Sequence, residues 1–150
     1  MFPDALPERF GRYALIKQLA RGGMGEVFLA RVVGAHGFEK KVAVKRILPQ
    51  YAANERFRRM LIDEAKTACF LNHPNIAQVL ELGEVTGQLF LVMEYVPGRS
   101  LSELLKTMRK QGERLSTLEA VFIGLEMCQG LHAAHNQTDT AGRPLGIIHR

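Results

Sequence analysis

Three features of this sequence could do chemistry together. The first is Leu19-Ala20-Arg21-Gly22-Gly23-Met24-Gly25-Glu26-Val27, in which three glycines fall within four positions. A backbone without Cβ atoms can come close to a phosphate, and its amides can then point at anionic oxygens. The second is Lys45, within Val42-Ala43-Val44-Lys45. Alternate residues of a strand share a face, so Lys45 lies beside Ala43 and Ile47, where an ammonium needs an anionic partner to offset its desolvation. The third is Glu64, which could be that partner. Phe57, Leu61, Glu64, Ala68 and Leu71 step by four, three, four and three, which places a carboxylate on the apolar stripe of a helix, facing inward. Singly, each has a plainer reading: a flexible hairpin, a snorkelling lysine, a glutamate at the rim of a wider stripe. Together they are an amide-rich loop able to approach an anion and an ammonium with a candidate carboxylate partner.

The elements that must position these residues follow from local pattern. Tyr13–Leu19 reads as a strand and Glu26–Val32 as its hairpin partner. The glycine-rich loop therefore joins two strands, which argues against a dinucleotide-binding fold, where such a loop opens a helix. Gly34-Ala35-His36-Gly37 is a turn, and Lys41–Leu48 is a third strand, ended by Pro49. The spacing predicts a helix over residues 54–71, broken at His73-Pro74-Asn75, where His73 is assigned a capping or turn role. Two strands follow, about Ala77–Glu84 and Leu89–Glu94, with a turn at Thr86-Gly87-Gln88. Ser100-Leu101-Ser102-Glu103 and Ser116-Thr117-Leu118-Glu119 are capping boxes that open helices to about Lys110 and His135. A polar loop, Asn136–Pro144, leads to Gly146-Ile147-Ile148, read as a short strand, and residues 1–12 read as a loose lead-in. The expected class is α+β: an antiparallel sheet with one packed helix, then a helical region, divided at Val96-Pro97-Gly98-Arg99.

Composition narrows the class of partner. With 150 residues, 47% hydrophobic and 23% charged, the chain is globular rather than low-complexity. Its net charge of +5 suits a polyphosphate or acidic partner, but the basic residues are scattered and no basic-aromatic platform for nucleic acid is present. Cys69 and Cys128 form neither a disulfide framework nor a zinc spacing, and no secretory signal is expected from Met1-Phe2-Pro3-Asp4, which shows no basic and then apolar run. A reducing, cytoplasmic setting is expected. No run reaches the roughly 18 apolar residues of a membrane span.

In this order the motifs resemble the protein kinase signature set, and the wording from Arg21 to Val27 is most similar to bacterial serine/threonine kinases of the eukaryotic type. The resemblance runs from residue 11 to 150. It implies an N-terminal extension (1–12), a kinase N-lobe of five antiparallel strands and one helix (13–96), and the hinge exit with the first helices of a C-lobe (97–150). It implies ATP as ligand. Lys45 would contact its phosphates while paired with Glu64, under the loop of Leu19, Ala20, Arg21, Gly22, Gly23, Met24, Gly25, Glu26 and Val27. Met93 would be the gatekeeper, the Glu94 carbonyl and Val96 amide would meet the adenine edge, and Leu19, Val27 and Ala43 would sandwich the ring. Ala20 stands where the pattern has its first glycine, so that bend is expected to be less mobile. Gly34–Lys40 and Asn136–Leu145 are longer than the compact pattern. His149-Arg150 would begin the catalytic loop, whose Asp is expected just after Arg150, and the residues that hold magnesium later still. These 150 residues alone are therefore expected to be inactive, with magnesium and a protein substrate belonging to the complete kinase. The alternative is a non-catalytic, kinase-like nucleotide-binding or interaction module.

Overall fold

Nine-residue strands separated by tight turns can only satisfy their backbone groups by pairing with one another, and the computed structural model, which describes residues 7–23, 25–34 and 37–148, pairs them in one antiparallel sheet. The strands are β1 (Glu8–Phe10), β2 (Tyr13–Arg21), β3 (Gly25–Val33), β4 (Glu39–Ile47), β5 (Val79–Val85) and β6 (Gln88–Glu94), in the spatial order β1-β2-β3-β4-β6-β5. A single 3₁₀ turn, Pro49–Tyr51, leads into helix α1 (Glu55–Ala68), and α2 (Leu101–Lys110) and α3 (Thr117–His135) follow the sheet. The chain divides into two compact units. One holds the sheet and α1; the other holds His73–Ile76 and the segment from Val96 onward.

In the first unit, alternation along the strands makes two apolar faces. Phe10, Tyr13, Leu15, Phe28, Ala30, Val42, Val44, Phe90 and Val92 cluster on one of them. The two edges of the sheet approach each other around this cluster. Phe10 and Phe90 meet edge to face at 5.2 Å, and the Tyr13 hydroxyl donates to Glu81 across 2.8 Å. The sheet is thus strongly curled, with the cluster inside the curl. On the other face, Ile47, Leu89 and Leu91 pack with Leu61 and Ala65 of α1.

Burial and the hydrogen bond to the Glu81 carboxylate both raise the Tyr13 phenol above its ordinary value. A raised folded-state value means that the neutral phenol is favoured by folding. That contribution is complete below the ordinary tyrosine range near 10 and is lost as pH rises through the folded-state value. Alkaline titration followed by circular dichroism should therefore show Tyr13→Phe losing less stability above about pH 10 than the parent.

Helix α1 begins where its sequence says it should. The Asn54 side chain accepts hydrogen bonds from the amides of Arg56 and Phe57 at 3.0 and 3.4 Å, and Glu55 and Lys66 sit at the ends that the helix dipole favours. Arg58 then ties the first turn to the β5–β6 hairpin, donating to the Gly87 carbonyl at 2.9 Å and to Glu84 at 3.2 Å. That hairpin turns on Thr86 and Gly87, with φ of 48° and 81°. Positive φ at both central residues matches the right-handed twist of the flanking strands. Asn54→Ala should cost about 1 kcal/mol in urea unfolding, the usual value of an N-cap.

Two expectations are corrected. Residues 8–10 are not a loose lead-in but a sixth strand, paired Glu8↔Leu15, Arg9↔Ala14 and Phe10↔Tyr13. Phe10 supplies the burial, and Gly11, at φ 57°, opens a two-residue hairpin with glycine first. Gly146-Ile147-Ile148 is not a strand: it has no strand to pair with among the described residues, and the bridge nearby joins Thr138 to Pro144. Of the turn expected at Gly34–Gly37, Ala35 and His36 lie outside the described residues. The connection is closed by the Gly34 amide donating to the Phe38 carbonyl at 2.6 Å, so part of the added length is strand.

In the second unit both capping boxes form. The Ser100 and Ser116 hydroxyls accept from the amides of Glu103 and Glu119, whose carboxylates accept in return. These bonds hold both carboxyls below the usual range. His73 serves the turn as expected, its Nδ1 accepting from the Asn75 amide at 3.1 Å. Asn75 in turn donates to the carbonyl and carboxylate of Glu126, and Gly130 of α3 leaves room for the Asn75 backbone. His132 and His135 are exposed, as are Leu118, Val121, Phe122, Leu125 and Met127 along α3.

Candidate functional site: a lysine–glutamate pair beside a glycine hairpin

Register decides which residues share the site. Val27 of β3 pairs with Lys45 of β4, and Lys45 with Leu91 of β6; one row away, Leu29 pairs with Ala43 and Ala43 with Met93. Residues directly opposite in an antiparallel sheet point the same way. Val27, Ala43, Lys45 and Met93 therefore lie on one face, the face against which α1 packs. From α1, Glu64 reaches the end of this row. Both of its carboxylate oxygens lie 2.6 Å from Lys45 Nζ. The two charges inferred from separate patterns in the sequence are thus in contact.

The pair is less buried than the sequence suggests. The Lys45 side chain is 33% exposed and that of Glu64 44%. The buried stripe of α1 runs through Leu61 and Ala65, flanked by Phe57 and Ala68, so Glu64 stands at its rim rather than on its centre line. A helix packed over the end of a sheet keeps the rim wet. A half-exposed pair contributes about 0.2–1 kcal/mol to stability, and contact with both carboxylate oxygens fixes where the ammonium sits. Beside the pair, Gly25, Ile47, Phe57 and Leu61 line a small cavity of about 70 Å³.

The glycine hairpin is the second part. Gly22 and Gly23 are exposed, and a Cβ on either would meet nothing within 4 Å. Such open backbone is what close approach of a phosphate requires. Gly25 has a different reason to be glycine: a Cβ there would lie 2.9 Å from the Arg46 carbonyl oxygen, so it admits strand β4. The Gly22 amide donates to the Gly25 carbonyl at 2.9 Å and closes the hairpin. Met24 lies outside the described residues, as do His149 and Arg150. Leu19, Ala20 and Arg21 are exposed at the end of β2, where the pairing with β3 slips between Gln18 and Ala20.

Glu26 is placed differently from its neighbours in the loop. It points into the curl, where it is 4% exposed and accepts from Arg46 Nε at 2.7 Å and from Gln18 at 3.1 Å. Its carboxylate is committed to Arg46. Burial alone would lower the Arg46 value, but the bonds to Glu8 and Glu26 outweigh it and leave the guanidinium firmly charged. Arg46 escapes a reading centred on Lys45; the available signal was a charged residue on the strand face shared with Val44 and Val42. At the far end of β6, Glu94 donates its amide to the Gln78 carbonyl at 2.8 Å, while Val96 opens the second unit and is exposed. Among the described residues, no group of three or more His, Cys, Asp or Glu side chains could hold a metal ion, and no helix is long and apolar enough to cross a membrane.

A curled antiparallel sheet, one helix on its outer face and a lysine–glutamate pair between them define a kinase-type N-lobe. Residues 13–139 match the model of the protein tyrosine and serine/threonine kinase family, and the chain belongs to that family. It is 40% identical over 145 residues to the tyrosine-protein kinase MasK of Myxococcus xanthus, covering 97% of this chain and 22% of that protein. It is 41% identical over 150 residues to the serine/threonine-protein kinase PknD of Mycobacterium tuberculosis, covering 98% of this chain and 20% of PknD. The crystal structure of the Mycobacterium tuberculosis PknI kinase domain superposes with a TM-score of 0.65 at 30% identity, covering 90% of this chain and 53% of that domain. The chain thus spans about a fifth of the length of the curated relatives and about half of the PknI kinase domain.

Proposed function

We propose that this chain is the ATP-binding part of a serine/threonine protein kinase. The contact of Lys45 with both oxygens of Glu64, beside an open glycine hairpin, carries the reading. The residues present fit a nucleoside triphosphate. The backbone of Gly22 and Gly23 would face the phosphates, the Lys45 ammonium would meet their oxygens, and Val27, Ala43 and Met93 offer an apolar platform on the same face for the base. Glu64 holds the ammonium in place by accepting from it, so that Lys45 needs no rearrangement when a phosphate arrives. The resemblance assigns the adenine edge to the Glu94 carbonyl and the Val96 amide.

Bound ATP would supply the transferable phosphoryl group. In this family the acceptor hydroxyl is oriented by an Asp that follows the His-Arg pair, and magnesium is held by residues further on. Phosphoryl transfer is therefore assigned to a protein extended past Arg150, not to these 150 residues. The choice of serine and threonine follows PknD, PknH and PknJ, which are named serine/threonine kinases, over MasK, which is named a tyrosine kinase.

The test is a comparison of ATP with adenosine. The chain should bind ATP more tightly than adenosine, and Lys45→Met should bring the two affinities together. Equal ATP affinity in parent and variant would reject the reading.

A further inference from the structure

From the structure we infer that the short N-terminal strand β1 positions the phosphate-binding hairpin, acting through the chain Glu8–Arg46–Glu26; this rests on the proposed ATP site and deepens it. Arg46 directly follows Lys45, and Glu26 directly follows Gly25. Glu26 and Arg46 are opposite partners in the β3–β4 ladder, as Val27 and Lys45 are. Alternation sends the first pair into the curl and the second to the site face. Whatever fixes the Glu26–Arg46 pair therefore fixes, through one peptide on each strand, the backbone that carries Gly25 and Lys45.

Side chains from four strands do this. Arg46 Nε donates to Glu26 at 2.7 Å, and its two terminal nitrogens donate to the two Glu8 oxygens at 2.7 and 3.2 Å. Gln18 of β2 donates to the second Glu26 oxygen at 3.1 Å. The guanidinium lies over the ring of Phe28 at 4.7 Å and that of Phe10 at 5.2 Å. β2 slips register against β3 twice, between Leu15 and Lys17 and between Gln18 and Ala20, and the bond from Gln18 to Glu26 joins the two strands at the second slip.

Stability alone does not account for such a group. A buried ion pair is often no more stable than apolar residues of the same volume, whereas its geometry is specific. The bidentate bond to Glu8 needs the planar fork of arginine, which lysine lacks. Two of the three residues of β1, Glu8 and Phe10, contact Arg46, and Phe10 also packs on Phe90. The strand is thus tied to the site-bearing hairpin and to the core at once.

Glu8→Gln is the informative change, because the Glu8 side chain is 31% exposed and its loss leaves the core in place. Three quantities should be read on the 150-residue chain: the thermal midpoint, affinity for ATP and for adenosine, and amide hydrogen exchange of Gly22, Gly23 and Val27. The expected pattern is a nearly unchanged midpoint, ATP affinity reduced roughly tenfold, adenosine affinity unchanged, and faster exchange at the hairpin. Arg46→Lys should also speed hairpin exchange and weaken ATP binding, but with a lowered midpoint, because the Arg46 side chain is 7% exposed and a lysine there leaves buried carboxylate oxygens unpaired. A general loosening of the unit would instead lower both affinities together, and that result overturns the proposal. Unchanged hairpin exchange in a folded Glu8→Gln variant overturns it as well. If the parent chain shows no preference for ATP over adenosine, the ATP site itself fails. Hairpin exchange then decides alone: faster exchange in the variant supports positioning by β1, and equal exchange rejects it.

Discussion

Lys45→Met should lower the affinity of this chain for ATP by roughly ten- to a hundredfold and leave adenosine binding nearly untouched. The size follows from what is removed. A charge-assisted hydrogen bond is worth about 1.5–3 kcal/mol, and each 1.4 kcal/mol is a factor of about ten. The same change should hardly affect folding, because the pair with Glu64 is a third to nearly half exposed and such pairs contribute about 0.2–1 kcal/mol. This separation makes the experiment clear: affinity falls while the urea midpoint stays. Glu64→Gln should fall between parent and Lys45→Met, since the ammonium remains but the carboxylate that orients it has gone. In a protein extended past Arg150, Lys45→Met should bring phosphoryl transfer to a basic protein down to background. Isothermal titration of the chain and radiolabelled transfer by the extended protein check the two parts. Parent-like ATP affinity in Lys45→Met would show that the phosphates do not meet this ammonium.

How much of this site could be read from the sequence depends on the range of each signal. Lys45 beside Ala43 was legible because strand alternation is local, whereas Val27 and Met93 came only from the kinase resemblance; the register puts all four on one face. Glu64 was legible as a charge on an apolar stripe. Its depth was not, because Leu61 and Ala65 rather than Leu61 and Glu64 form the buried line, and a helix pattern does not say where its partner sheet ends. Glu26 was assigned to the loop by its position in a motif, and only the curl of the sheet revealed its partner, 20 positions away in Arg46. Strand β1 was missed because three residues are too few to display alternation, and its evidence is long-range: Phe10 on Phe90 and Glu8 on Arg46. The short strand expected at Gly146–Ile148 failed for the complementary reason, since an apolar run is only half of a strand and the other half is a neighbour.

The curl that brings Glu8 to Arg46 depends on one aromatic ring and the glycine beneath it. Phe90 of β6 is opposite Gly83 of β5 and is 3% exposed. Phe10 and Tyr13 approach it edge to face, at 5.2 and 5.7 Å. A Cβ at Gly83 would overlap the ring, lying 2.7 Å from its Cε1 atom. The glycine is therefore needed for space and not for an unusual backbone angle. Gly83→Ala should overpack the site and cost about 1–3 kcal/mol, whereas Phe90→Ala should leave a cavity and cost about 3–5 kcal/mol. The two losses arise from the same contact, so they should not add. In the double variant the new methyl group enters space that the ring has vacated, and the total should fall short of the sum by about 1 kcal/mol or more. Urea unfolding can be followed by far-ultraviolet circular dichroism, with tyrosine fluorescence as a second probe, since the chain has no tryptophan and three tyrosines. Strict additivity would mean that Gly83→Ala acts through the backbone of the edge strand and that the ring has room to move. A shortfall would place Phe90 as the residue that sets the curvature, with Phe10 and Tyr13 drawn in around it.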